Sequence, residues 1–354
     1  MIVYILAGIL IFGVLIAVHE FGHFAAAKLC GVKVNEFSIG MGPEIWSRQK
    51  GETQYSFRAF PIGGFCAMEG EEGGSDDARA LQNQGFWKQF FIMVAGPLMN
   101  FLSGLVILLA LYAGSAVMFT DEIVYVAPEL AQSVENQLQP GDRVYKVNSY
   151  RTYLAGDTSL YLHYAKSGET DLEVIRDGQR IKLENLERKT YTGMDGKPYV
   201  GFGITLGSHA EEATLGTKLR FTWNTALDFV QQVRFSLVQL VTGGASVKDL
   251  NGPVGIVSTI SQVGTQAEDS RDAWSKIAFF AALIAVNLAV MNLLPIPALD
   301  GGRILFLLID VGSMLLFRKK VPEKYQSAVN TASFVVLMGF MLLVTFQDVF
   351  KLFG

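Results

Sequence analysis

MIVYILAGILIFGVLIAVHEFGH, residues 1–23, decides how the rest of the chain is read. Residues 1–18 carry no charge and approach the ~20 residues a helix needs to span hydrocarbon. The run has no basic leading segment and no small-residue cleavage site before His19, so it reads as a span and not as a signal peptide. It ends on His19, Glu20 and His23. On a helix, positions i and i+4 share a face, so both imidazoles can point at one metal. Glu20 lies between them as a general base. Ionisable groups in a membrane helix cost about a few kcal/mol each and mark function. Zinc suits the pair, since it takes imidazole and carboxylate in tetrahedral geometry.

Three further uncharged runs follow at 89–120, 277–299 and 325–347. Together with the first they predict four transmembrane helices. The apolar stretch 304–317 is interrupted by Asp310 and reads as a partly embedded continuation of the third span. Composition agrees. Of the 354 residues, 50% are hydrophobic and only 18% charged, against about 25% in ordinary globular proteins. That apolar content excludes disorder. Two cysteines exclude a disulfide scaffold, and a net charge of −4 argues against nucleic acid as a partner.

The spans divide the chain. Residues 1–120 hold the first two helices and a glycine-rich loop, in which 54–60 (QYSFRAF) alternates as a β-hairpin does. Residues 121–210 form a β-rich soluble domain, with strands expected at 142–147, 172–175 and 200–206 and a hairpin turn at Asp177-Gly178. Residues 211–276 carry an amphipathic helix over 214–241, lying on the membrane or packed on the soluble domain, and a linker. Residues 277–354 hold the last two spans. The acidic loop 69–77 reads as solvated and without chemistry. Basic residues beside the spans, including Arg318-Lys319-Lys320, put the two shorter loops in the cytosol and the soluble domain outside. Cys30 and Cys66 are then free thiols on the reducing side.

A hydrolytic zinc needs three protein ligands and an open position. The remaining histidines, His163 and His209, fall in or beside the soluble domain, across the membrane from His19. The third ligand is therefore expected to be a carboxylate or cysteine. Asp300 stands out, at the end of the third run in NLLPIPALDGG, where Pro295 and Pro297 interrupt the helix. Cys30 and Glu36 are weaker rivals.

These motifs resemble those of the site-2 intramembrane zinc metalloproteases of the bacterial regulator-of-sigma-E-protease type. HEFGH at 19–23 is similar to the family's HExxH, and 292–301 to its NxxPxPxLDG motif, which implies Asp300 as third zinc ligand. Residues 37–43 and 61–65 resemble its loop strands near the active site, 96–100 (GPLMN) its GPxxN motif, and 252–256 (GPVGI) its GPVG segment. The resemblance implies one zinc per chain, single-span membrane substrates such as anti-sigma factors or remnant signal peptides, and a multi-pass protein of the bacterial inner membrane. It also implies that the soluble domain is PDZ-like, on the match at 138–148 (LQPGDRVYKVN). No glycine-rich carboxylate-binding loop precedes that match, which favours a steric filter over a peptide-binding role. Arg303 stands where some relatives have His, and it is not an expected ligand.

The chemistry expected of these residues is peptide hydrolysis within the bilayer. Glu20 takes a proton from water and passes it to the leaving amine. Asn292 assists the developing oxyanion, and Asn287 contacts substrate backbone. An exposed strand edge at 54–60, with Tyr55 and Phe57, pairs with the unwound substrate, facing a segment kept extended by Pro295 and Pro297. The alternatives are an inactive zinc-binding scaffold, another membrane metalloenzyme such as a prenyl-protein-processing protease, and a transporter. Intact HEFGH and Asp300 argue against the first, and the Asn-Pro-Pro-Asp arrangement with a β-rich insert against the second. The lack of an internal repeat argues against the third.

Overall fold

The computed structural model describes all residues except 1, 72–73, 132–137, 245, 247–250, 320 and 354. Lys320 of the basic cluster and residues 72–73 of the acidic loop thus lie outside the described residues. The chain divides into two compact units, Met1–Ile107 with Ala245–Gly354, and Leu108–Gly244.

In the first unit, α1 (Ile2–Cys30) runs unbroken through the uncharged stretch and carries HEFGH in its last third. A long hairpin follows, β1 (Val34–Lys50) and β2 (Thr53–Met68). Away from its turn at 51–52 it presents Met41, Ile45, Trp46, Phe57 and Phe60 outward, all exposed. An exposed apolar surface of this kind marks a contact with a membrane or a partner. The hairpin lies along α1. A Cβ on Gly13 would sit 2.6 Å from the Pro61 carbonyl oxygen, so only glycine lets the strand pass there. Gly13 is six residues before His19, roughly 9 Å further along the helix axis. The hairpin thus runs along α1 beside the motif.

After α2 (Phe86–Ala113), the unit resumes with α6 (Pro253–Thr265), α7 (Ser270–Asn292), α8 (Asp300–Phe317) and α9 (Glu323–Phe353). Leu15, Ile260, Ile277, Ile284 and Ala285 join α1, α6 and α7 in one buried cluster. Among the described residues, four helices are long and apolar enough to cross a membrane: Ile2–Cys30, Phe86–Ala113, Ser270–Asn292 and Lys324–Lys351. With the β-rich unit, this is a multi-pass architecture of the expected class.

The third span differs from the expected 277–299. Asp269 caps α7 by accepting from the Asp272 amide at 2.8 Å, and Lys276 pairs with Asp272 at 2.6 Å. Capping and an i,i+4 pair let the helix begin on charged residues. It ends at Asn292 because the prolines beyond remove donors. Consequently 304–317 belongs to a separate helix, α8, and does not continue the third span. The second span is also shorter than expected: it ends at Ala113, and Val117 opens a strand.

In the second unit, β3 (Val117–Val126), β4 (Arg143–Val147), β5 (Tyr150–Arg151), β6 (Thr170–Arg176), β7 (Gln179–Leu186) and β10 (Ile204–Glu212) form a sheet ordered β10-β3-β4-β6-β7, with β5 on β4. Short helices α3 (Pro128–Ala131) and α4 (Asp157–His163) and the hairpin β8 (Lys189–Thr192) and β9 (Pro198–Gly201) complete it. Thr170, Leu172 and Val174 alternate inward along β6, and Ile123, Val147 and Leu183 meet them. Asp177 and Gly178 take φ of 50° and 78°, the positive values that a two-residue hairpin requires.

The helix expected over 214–241 is α5 (Leu215–Thr242), and it packs on the soluble domain through Phe235. Its Asp228 is fully buried. Gln232 donates to Asp228 at 2.6 Å and the Tyr161 hydroxyl at 3.4 Å. Burial first, and the nearby Asp157 carboxylate second, push Asp228 up to about 7. Asp157 accepts from the amides of Tyr153 and Leu154 at 2.6 and 2.8 Å, so of the two it better holds a charge. An unfolded aspartate titrates near 3.9. The folded unit therefore binds more protons than the unfolded chain between about pH 4 and 7, and its stability falls as pH rises through that window. Asp228→Asn is expected to reduce this fall and to gain about a few kcal/mol at pH 8, while Asp157, which burial also pushes up to about 6, keeps a smaller fall of its own. Hydrogen exchange of α5 and β3 amides in the full-length protein checks it, and an unchanged pH profile would refute the assignment.

Candidate metal centre

His19 and His23 lie one turn apart on α1 and are both buried. Asp300 is the first residue of α8, where the helix N-terminus favours a carboxylate. The segment 293–299 brings it there. Ala298 is held at φ 77°, and its amide donates to Asn330 of α9 at 2.6 Å. The result is a triangle of ligand atoms. His19 Nε2 is 3.1 Å from Asp300 Oδ2, His23 Nε2 is 3.3 Å from the same oxygen, and the two Nε2 atoms are 3.2 Å apart. Two bonds of about 2.0–2.1 Å at a tetrahedral angle put ligand atoms roughly 3.3 Å apart, so the set fits zinc without rearrangement. Among the described residues, this is the one cluster of at least three such side chains with metal-binding spacing.

The rivals for the third ligand are engaged elsewhere or absent from the cluster. Glu36 accepts from Arg58 at 2.7 Å and from Ser56 at 2.6 Å within the hairpin. Cys30 ends α1 and lies outside the cluster. Arg303, one turn beyond Asp300, pairs with Glu71 and ties the loop after β2 to α8. His209 of the soluble unit pairs with Glu122 at 3.0 Å.

Helix α2 supplies the surroundings. The His23 Nδ1–H donates to the Ile92 carbonyl at 2.8 Å, which leaves Nε2 free to face the metal. A Cβ on Gly96 would stand 2.3 Å from His23 Nε2, so glycine there makes room for the imidazole. Asn100 lies on the same helix, 1% exposed, with Nδ2 at 3.5 Å from His19 Nδ1. Gly96 and Asn100 are both visible in the GPLMN segment, but nothing local assigns them to the histidines, 73 and 81 residues away.

The expected substrate residues are placed as follows. Asn292 is the last residue of α7, partly buried. Asn287, five residues earlier, projects about 140° around the helix from it, and its Oδ1 is buried without a partner. The two amides therefore do not act from one face. Pro295 is exposed and Pro297 partly buried in the link to α8, which is not extended as expected: it folds into successive turns, the Ile296 amide donating to the Leu294 carbonyl at 2.7 Å and the Leu299 amide to the Ile296 carbonyl at 3.1 Å.

The strand edge is elsewhere than expected. Ser56 registers with Ser47 on one side and with Ser38 on the other, so 54–57 is an interior strand. Tyr55 packs on Phe24 and Phe37, and Phe57 on Trp46. Alternation in QYSFRAF marked a strand but not its place in the sheet, because its second partner at 36–39 is not the hairpin neighbour. Segment 64–68 pairs with 34–39 on one side and has no strand partner on the other among the described residues. It also lies beside the motif, since a Cβ on Gly64 would be 3.6 Å from Glu20 Cγ.

In the soluble unit, a cavity of about 830 Å³ is lined by Leu162 and His163 of α4, Gly201, Phe202 and Leu206. It touches the start of β10, the end strand of the sheet, at Ile204, Thr205 and Leu206. The glycine-rich turn Gly201-Phe202-Gly203, whose first two residues line the cavity, follows the LQPGDRV segment in sequence and does not precede it.

A helical membrane unit with a His-His-Asp cluster and an adjacent glutamate defines a membrane metalloprotease. The chain belongs to Peptidase family M50, the site-2 protease family, whose sequence profile matches residues 7–340. Similar proteins named as zinc metalloproteases occur in Clostridium perfringens (36% identity, 98% of each chain) and Clostridium acetobutylicum (35%, 98% of this chain and 97% of that one). A third, from Fusobacterium nucleatum, is 31% identical over 99% of each.

Proposed function

We propose that this metalloprotease hydrolyses peptide bonds within the transmembrane segments of single-span proteins, with one zinc per chain held by His19, His23 and Asp300. The observation that carries the reading is the 3.1–3.3 Å triangle of ligand atoms in the last third of an apolar helix, with Glu20 one residue from His19. When bound, zinc makes water a nucleophile near neutral pH and polarises the scissile carbonyl. Glu20 accepts the water's proton and returns it to the leaving amine. Asn292, at the end of α7, donates to the developing oxyanion.

A substrate helix hides its backbone in internal hydrogen bonds, so it must unwind before attack. The free side of 64–68 offers unpaired backbone groups for that purpose beside Glu20. Proline substitutions stepped across residues 64–67 are expected to abolish cleavage at every second position while zinc content stays at the wild-type level. Unchanged cleavage throughout the series would remove the strand from the mechanism.

The membrane is the bacterial inner membrane, with the metal site toward the cytosol and the β-rich domain outside. Basic residues near the short loops support that orientation. The domain acts as a steric filter against bulky outer domains of substrates, and the cavity at the start of β10 gives it room for an extended peptide as a PDZ-like ligand. Cleavage of a single-span substrate by protein reconstituted in vesicles, with Glu20→Gln as the control, tests the activity. Zinc binding without cleavage would favour the inactive scaffold.

A further inference from the structure

Asn100 is the buried polar residue beside the metal site that the chemistry above leaves unused. It is 1% exposed on α2, a helix of strongly apolar sequence. Burying a carboxamide costs free energy unless its ends are paired. Here Nδ2 faces His19 Nδ1 at 3.5 Å, and Oδ1 is buried with no partner.

The ligand geometry says what that oxygen is for. His19 turns Nε2, not Nδ1, toward His23 and Asp300. An imidazole that gives its Nε2 lone pair to a metal carries its proton on Nδ1. His19 Nδ1 then becomes a donor and needs an acceptor. Rotating the Asn100 amide by half a turn exchanges its ends and brings Oδ1 to Nδ1. His23 already has such an acceptor in the Ile92 carbonyl. We infer that Asn100 is the positioning residue for His19, accepting from Nδ1–H and fixing the tautomer and ring orientation that bind zinc. Both outer partners of the histidine pair would then come from α2. The inference rests on the zinc assignment given above.

The test is zinc affinity of the full-length protein in detergent, measured by competition with a chromogenic chelator. Asn100→Leu removes the acceptor at similar volume and is expected to weaken zinc about 10–100-fold. Asn100→Asp keeps an acceptor and is expected to bind within a few-fold of wild type. Restoration by aspartate alone separates positioning from packing, because both variants fill the same space. If Asn100→Leu fails to fold, the aspartate variant still decides. Zinc loss in a folded Asn100→Asp, or wild-type affinity in Asn100→Leu, overturns the inference. His19→Ala is the control. If it binds zinc as wild type does, the metal site itself is misassigned, whereas its loss of zinc leaves any failure to Asn100 alone.

Discussion

Glu20→Gln is expected to lower turnover of a single-span substrate by about 10²–10⁴-fold without loss of zinc. The substitution keeps the length and shape of the side chain but removes the base. The ligand atoms are untouched, because the triangle is built from His19, His23 and Asp300 alone. Glu20 also sits against Gly64, so the proton is handled next to the strand edge at which an extended substrate would lie. Single-turnover cleavage with parallel metal analysis checks both halves. Equal turnover would show that another group serves as base. Loss of zinc along with activity would show that Glu20 binds the metal.

Asp300→Ala is expected to lose zinc by more than the ~10–100-fold that removal of an outer partner costs. Both histidines approach the same Asp300 oxygen, at 3.1 and 3.3 Å. Without it, two imidazoles on one helix remain, and they complete no zinc site. Cys30→Ala and Glu36→Ala are expected to keep zinc, since Cys30 is outside the cluster and Glu36 is bound to Arg58 and Ser56. Zinc retained in Asp300→Ala but lost in either of the others would move the third ligand.

The site was legible where chemistry has a local signature. Two histidines four apart on an apolar helix need no distant information, and Asp300 stood out as an acid ending an uncharged run. The Asp177-Gly178 hairpin was equally local. Boundaries were less so. Residues 114–120 are uncharged, so they extend the second span on paper, yet Val117 pairs with Glu212, far along the chain. The start of α7 was hidden because Asp269 and the Asp272–Lys276 pair carry charges into its first turn. Which strand forms the sheet edge depended on the pairing of 36–39 with two segments at once. The roles of Gly96 and Asn100 were hidden for the same reason: their partners on α1 lie about seventy to eighty residues away.

The most direct measurement is the position of the cut. Wild-type protein in lipid vesicles, given a single-span substrate, should release products whose masses place the cleaved bond inside the substrate's membrane segment, and Glu20→Gln should release none. A cut confined to the water-exposed flanks, or the same products from both proteins, would contradict hydrolysis by this centre within the bilayer.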